Sequence, residues 1–238
     1  MLMSRWKLIL LFLPGILFAS ININALNFKT NSSMTQVDTL KTYLALGDSY
    51  TIGQSVNADE TYPAQTVSIL RSQNINFHSP EIIATTGWTT ADLQNAISKH
   101  KFAFAKYDIV TLLIGVNNQY QGRSEPEYQT QFTELLQKAI QLAGNISSHV
   151  IVLSIPDYSV VPFAHDGDTI LIAKEINSFN LINNEISANY KVNYINVTDE
   201  SRKAAIDKSL ITYDNLHYSG KEYAIWAKIL AEKIRNLK

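Results

Sequence analysis

The chain predicts an α/β protein, a three-layer α/β/α sandwich around a central, mostly parallel five-stranded sheet. Short apolar runs alternate with longer segments of helical spacing through most of its length, the pattern of successive βαβ units with helices on both sides of a sheet. The runs are continuous rather than alternating, as in Ile109-Val110-Thr111-Leu112-Leu113-Ile114, which suits strands covered on both faces. With 238 residues and 46% hydrophobic content, the chain is long enough for one sizeable core.

The strand candidates in order are Tyr43–Leu46, Glu81–Ala84, Ile109–Ile114, Val150–Ile155 and Val192–Val197. Most are rich in β-branched residues, which fit a pleated, buried surface. Helical spacing marks Tyr62–Arg71, Thr90–His100, Tyr128–Leu142, Ile170–Tyr190 and Lys221–Leu237. Thr89 and Thr90, before Ala91-Asp92, and Ser219, before Lys221-Glu222, read as N-caps whose hydroxyls accept from unpaired backbone N–H groups. Pro156–Asp168 is the longest irregular connection. It follows a strand, so it is expected to overhang whatever site the strand ends build.

Composition removes several function classes. Twenty Lys and Arg against 21 Asp and Glu leave a formal net charge of -1, and without a concentrated basic face nucleic acid is not an expected partner. The absence of cysteine removes disulfides, thiol catalysis and thiolate metal sites. Asp166-Gly167-Asp168 is too short for a calcium loop and no histidine pair stands at zinc-ligand spacing, so neither metal nor cofactor is expected.

Residues 1–25 carry Arg5 and Lys7, the apolar run Leu8–Phe18 and the small pair Ala19-Ser20, the charged, apolar and small-residue regions of a secretory signal. The run is shorter than the ~20 apolar residues of a membrane span. Cleavage after Ala19 or Ala25, a periplasmic or secreted bacterial location and no stable membrane span are therefore expected, with a retained N-terminal anchor as the rival. Residues 26–40 are polar and aperiodic and read as a linker, which leaves residues 41–238 as the domain.

Ligands of open parallel sheets bind beyond the carboxyl ends of the strands, so catalytic groups should follow strands directly. Four such segments carry the right chemistry. Gly47-Asp48-Ser49-Tyr50-Thr51 follows the first strand and presents a serine in a tight turn. Gly87 follows the second, and Gly115-Val116-Asn117-Asn118 the third. Asp214-Asn215-Leu216-His217 stands immediately before the last helix. The other histidines sit less well: His78 and His149 precede strands, His100 lies at a helix end and is expected to be solvated, and His165 in the post-strand loop is the one rival base.

These four segments, spanning Tyr43 to about Tyr223, resemble the SGNH hydrolase family, also called the GDSL esterase and lipase family. The resemblance implies a flavodoxin-like arrangement of the sheet, with Ser49 as nucleophile, Gly87 and Asn117 beside it, and His217 as base. Tyr50 departs from the leucine of the name-giving motif, at a position that points away from the chemistry in the family picture. The physical roles agree. A serine hydroxyl needs an adjacent base, histidine suits neutral pH, and Asp214 is placed to hold one tautomer of His217. The N–H groups of Ser49 and Gly87 and the amide of Asn117 would stabilise an oxyanion, with glycine letting backbone approach substrate. Asp48 is expected to hydrogen-bond the turn and to stand outside the triad.

The reaction implied is hydrolysis of a small-molecule carboxylic ester through an acyl-enzyme. A chain with little room for a large lid suits small or carbohydrate O-acyl esters. Val160-Val161-Pro162-Phe163 pulls toward a lipid acyl chain, as in a lysophospholipase or thioesterase, and an acyltransferase would use the same site.

Overall fold

A computed structural model describes residues 40–237. The expected signal at residues 1–25, and all of the expected linker but its last residue, lie outside the described residues. Five strands, β1 (Tyr43–Gly47), β2 (Glu81–Ala84), β3 (Ile109–Leu113), β4 (Val150–Leu153) and β5 (Asn193–Ile195), form one sheet in the order β2-β1-β3-β4-β5. Every neighbouring pair is parallel, with Leu44 opposite both Glu81 and Val110. The sheet is thus wholly rather than mostly parallel. The three inner strands are buried at every residue, whereas the edge strands β2 and β5 are only half-buried. That difference explains why the inner strands read as unbroken apolar runs.

The main helices are α1 (Ser49–Ile52), α2 (Tyr62–Ser72), α3 (Thr90–Lys99), α4 (Val116–Tyr120), α5 (Glu125–Leu142), α6 (Thr169–Asn189), α7 (Thr198–Ser201) and α8 (Gly220–Arg235). The chain moves from β1 to β2 in one direction and from β2 through β5 in the other. Right-handed crossovers therefore put α2 on one face of the sheet and α3, α5 and α6 on the other. α8 packs along α2 through Tyr62, Tyr223 and the fully buried Trp226, whose rings lie 5.1 to 6.4 Å apart. Truncating a ring such as Trp226 to alanine costs about 3–5 kcal/mol.

Thr89 caps α3 as expected, in a reciprocal box with Asp92. Ser219 occupies the cap position of α8, but its hydroxyl makes no bond to the helix and donates instead to Ser209 O at 2.8 Å. Among the described residues no helix is long and apolar enough to cross a membrane.

The sheet order reverses at β1, so β2 and β3 flank it and their following segments diverge above and below. A crevice opens at that switch point in doubly wound sheets. Here it is bordered by the turns after β1, β2 and β3.

Candidate active site

β1 ends at Gly47, where a Cβ would come within 2.1 Å of Thr51 Oγ1 and 2.4 Å of Leu113 O. Only glycine lets the chain turn so close to β3. Asp48 then caps α1, its Oδ1 accepting the Tyr50 N–H at 3.1 Å. Ser49 opens the helix, where the first backbone N–H groups have no helical partner. Gly53, at φ 77°, closes it. The amides of Gly53 and Gln54 both donate to Ser49 O, at 3.0 and 2.9 Å, so the turn is wound around the serine's own carbonyl.

Ser49, Gly87, Asn117 and His217 meet at one cleft, together with Tyr50, Thr86, Val116, Tyr120, Tyr158, Phe163 and Leu216. Its volume is about 160 Å³, below the roughly 300–1,000 Å³ of drug-sized ligand sites. Gly87 has φ 85° and nothing within 4 Å of the place a Cβ would take. Its left-handed backbone favours glycine, and the residue borders open space.

Asn117 and Asn118 divide their work. Asn117 Nδ2 donates one proton to Trp88 O at 2.9 Å, which fixes the amide and leaves its second N–H free for the cleft. Asn118 is buried and committed to α3, accepting from Thr90 N at 3.0 Å and donating to Thr90 Oγ1 at 2.7 Å. Gly115 precedes both with φ 131°, and a Cβ there would strike the Tyr128 hydroxyl at 2.4 Å.

His217 is 7% exposed, and its Nδ1 lies 2.7 Å from Asp214 Oδ2. Asp214 Oδ1 accepts from Thr212 Oγ1 at 2.7 Å and from the amides of Leu216 and His217, each at 2.9 Å. Oδ2 also accepts from Ser55 Oγ at 2.5 Å. Partial burial works against ionisation, but the Ser55 hydroxyl, the His217 amide and the remaining donors outweigh it and hold the carboxyl well below the usual carboxylate range. An ionised Asp214 favours the tautomer that carries its proton on Nδ1, the one that leaves the Nε2 lone pair available.

Asp48 is the opposite case. It is fully buried and its Oδ2 has no hydrogen-bond partner, so desolvation pushes its pKa up to about 7 despite the Tyr50 amide. Asp48 therefore serves the turn, as the sequence suggested.

Tyr50 corrects an expectation. Rather than pointing away from the chemistry, its buried ring lines the cleft and meets the imidazole of His217 edge-on, with centroids 5.8 Å apart. It also leans on Tyr218 and Trp226 at 5.8 and 6.4 Å. The sequence reading also did not single out Tyr120 and Tyr158, which with Phe163 form an aromatic wall with centroids 6.2 to 6.3 Å apart. Tyr120 and Phe163 remain 61% and 48% exposed at the mouth. The Pro156–Asp168 connection contributes Tyr158 and Phe163, so it borders the cleft as expected, though folded into two 3₁₀ turns.

His165 is exposed and does not line the cleft. His100 is exposed at the end of α3 as expected, and it also pairs with Glu81 at 2.6 Å. Among the described residues no three or more His, Cys, Asp or Glu are placed to hold a metal ion.

The fold is similar to that of an acetyl xylan esterase from Geobacillus stearothermophilus, with a TM-score of 0.62 at 16% identity over 83% of this chain and 95% of that one. It is similar also to a lipase/acylhydrolase from Enterococcus faecalis, with a TM-score of 0.62 at 19% identity over 84% of this chain and 98% of that one. At such identities the likeness concerns the fold. No curated protein matches the sequence. Residues 45–225 match the GDSL-like Lipase/Acylhydrolase family, and since that stretch runs from β1 into α8 and takes in every cleft residue, the chain belongs to this family of ester hydrolases.

Proposed function

We propose that the protein hydrolyses small O-acyl esters through an acyl-enzyme on Ser49. The observation that carries this reading is the convergence of Ser49, Gly87, Asn117 and His217 on one small cleft, with Asp214 bonded to the far nitrogen of His217. Ser49 Oγ attacks the ester carbonyl while His217 Nε2 takes its proton. The negative charge formed on the carbonyl oxygen is met by the N–H groups of Ser49 and Gly87 and the free N–H of Asn117 Nδ2. Collapse breaks the ester C–O bond, and His217 returns the proton to the departing alcohol. Water, deprotonated by the same His217, then releases the acid and restores Ser49.

The cleft's volume favours a short acyl group. The aromatic wall of Tyr120, Tyr158 and Phe163 favours a second reading, in which a longer lipid acyl chain lies against the rings at the mouth. A p-nitrophenyl ester series from acetate to decanoate separates the two by the chain length at which kcat/KM peaks. The chemistry itself is tested with Ser49→Ala on the acetate ester, where loss of the nucleophile lowers kcat by about 10⁶-fold. Full activity in that variant would sink the mechanism.

A further inference from the structure

Ser55 lies six positions after Ser49 and is separated by 159 positions from Asp214, yet its hydroxyl donates to Asp214 Oδ2 at 2.5 Å. The two carboxylate oxygens have different partners. Oδ1 takes only donors of its own turn: Thr212 and the amides of Leu216 and His217. Oδ2 takes the imidazole of His217 and the hydroxyl of Ser55. Oδ1 therefore builds the turn, and Oδ2 is the oxygen that sets the direction of the imidazole.

Ser55 reaches Oδ2 from a backbone at φ 69°, a left-handed conformation that few non-glycine residues adopt. Such strain persists where surrounding structure over-determines it. The surroundings are the turn wound on Ser49 O by the amides of Gly53 and Gln54. The neighbouring Gln54 side chain accepts from Thr86 Oγ1 at 2.6 Å, one residue before Gly87. The same turn thus grips the nucleophile, the Gly87 loop and the carboxylate behind the base.

We propose that Ser55 is a positioning residue for the reaction assigned above, its hydroxyl locking Asp214 Oδ2 in register with the nucleophile turn so that His217 faces Ser49. The inference rests on that assignment. The groups facing Asp214 are Ser55, Thr212, the amides of Leu216 and His217, and the His217 ring; Tyr223 on α8 also feels its charge. Without the Ser55 donor, Oδ2 has more negative charge to offer the imidazole, which favours the protonated ring.

The test compares Ser55→Gly, which removes the hydroxyl and relaxes the backbone, with Ser55→Ala, which removes the hydroxyl and keeps the strain. The full chain is used, with p-nitrophenyl acetate as substrate and Ser49→Ala in parallel. Both Ser55 variants are expected to lose about 10-fold in kcat, the scale of one hydrogen bond to a charged group, with KM little changed. The acid limb of their kcat/KM profile is expected to move to higher pH, a shift that a merely structural role would not produce, while Ser55→Gly keeps the melting temperature of the parent. A wild-type kcat and pH profile in Ser55→Gly, with Ser49→Ala inactive, overturns the role of Ser55 and leaves the chemistry standing. Loss in Ser55→Ala alone reduces the residue to a backbone device and overturns it equally. Full activity of Ser49→Ala overturns both readings.

Discussion

Asp48 and Asp214 stand in the two turns that meet at the cleft, one following β1 and one preceding α8. Asp48 is fully buried with a single backbone donor and an unpartnered Oδ2. Asp214 is partly exposed and its two oxygens accept five hydrogen bonds. Burial without donors penalises charge, and donors favour it, so the two side chains are pushed in opposite directions. A carboxylate that must steady an imidazolium has to stay ionised through the working range. The residue adjacent to the proposed nucleophile is therefore the poorer candidate, and the remote one is equipped for the task.

The largest test of that contrast is Asp214→Asn, which keeps the shape of the turn but offers His217 an amide. kcat is expected to fall about 10⁴-fold, and a loss no greater than that of Asp48→Asn would erase the distinction. Asn117 and Asn118 extend the same logic to the turn after β3. Asn117→Ala is expected to lower kcat by about 10²–10³-fold at nearly unchanged stability, whereas Asn118→Ala leaves the buried Thr90 N–H without its acceptor and costs about 1–3 kcal/mol of stability; a swapped outcome, read by kinetics and urea melts, would reverse the assignment. Tyr50→Leu, which restores the usual residue of the motif, removes the edge contact to His217 and is expected to lower kcat by roughly 2–10-fold; an unchanged kcat would return Tyr50 to a packing role.

The smallest effect on turnover belongs to Asp48→Asn, whose signature lies in stability. Burial pushes the folded Asp48 carboxyl up to about 7, from the ordinary aspartate value of 3.8. Between those values the folded state holds a proton that the unfolded chain has released, so this contribution to stability is present below that window and is lost as pH rises through 7. Asp214, held low, contributes with the opposite sign: its stabilisation is present above the ordinary carboxylate range and is lost as pH falls below it. Denaturant melts at pH 5 and pH 8 should find Asp48→Asn gaining on the wild type at the higher pH, and an equal difference at both would refute the burial argument.

Most of the fold was legible because the inner strands are buried on both faces and so have unbroken apolar sequences, each followed by its glycine or polar turn. Strand limits fell within a residue or two of Tyr43–Gly47, Glu81–Ala84, Ile109–Leu113 and Val150–Leu153. The places of Ser49, Gly87, Asn117, Asp214 and His217 were legible for the same reason, since each follows a strand or precedes α8. Tyr50 was not, because the direction of a side chain within a four-residue helix depends on what packs behind it, here Tyr218 and Trp226. Ser55 was equally silent: its partner lies far along the chain, and nothing in Gly53-Gln54-Ser55-Val56 announces a left-handed serine. The cap at Ser219 misled because a hydroxyl that can accept from its own helix can also donate elsewhere.

The Phe163 N–H donates to Asn215 O at 3.0 Å, two positions before His217. The doorway of the cleft and the mount of the proposed base therefore share a joint. On the proposed mechanism, an acyl group large enough to displace Phe163 would pull on the segment that carries His217, and selectivity is expected to surface in turnover as well as in affinity. Along a series of lengthening esters, kcat and KM should then worsen together beyond the chain length that Phe163 tolerates, making the entrance a governor of rate.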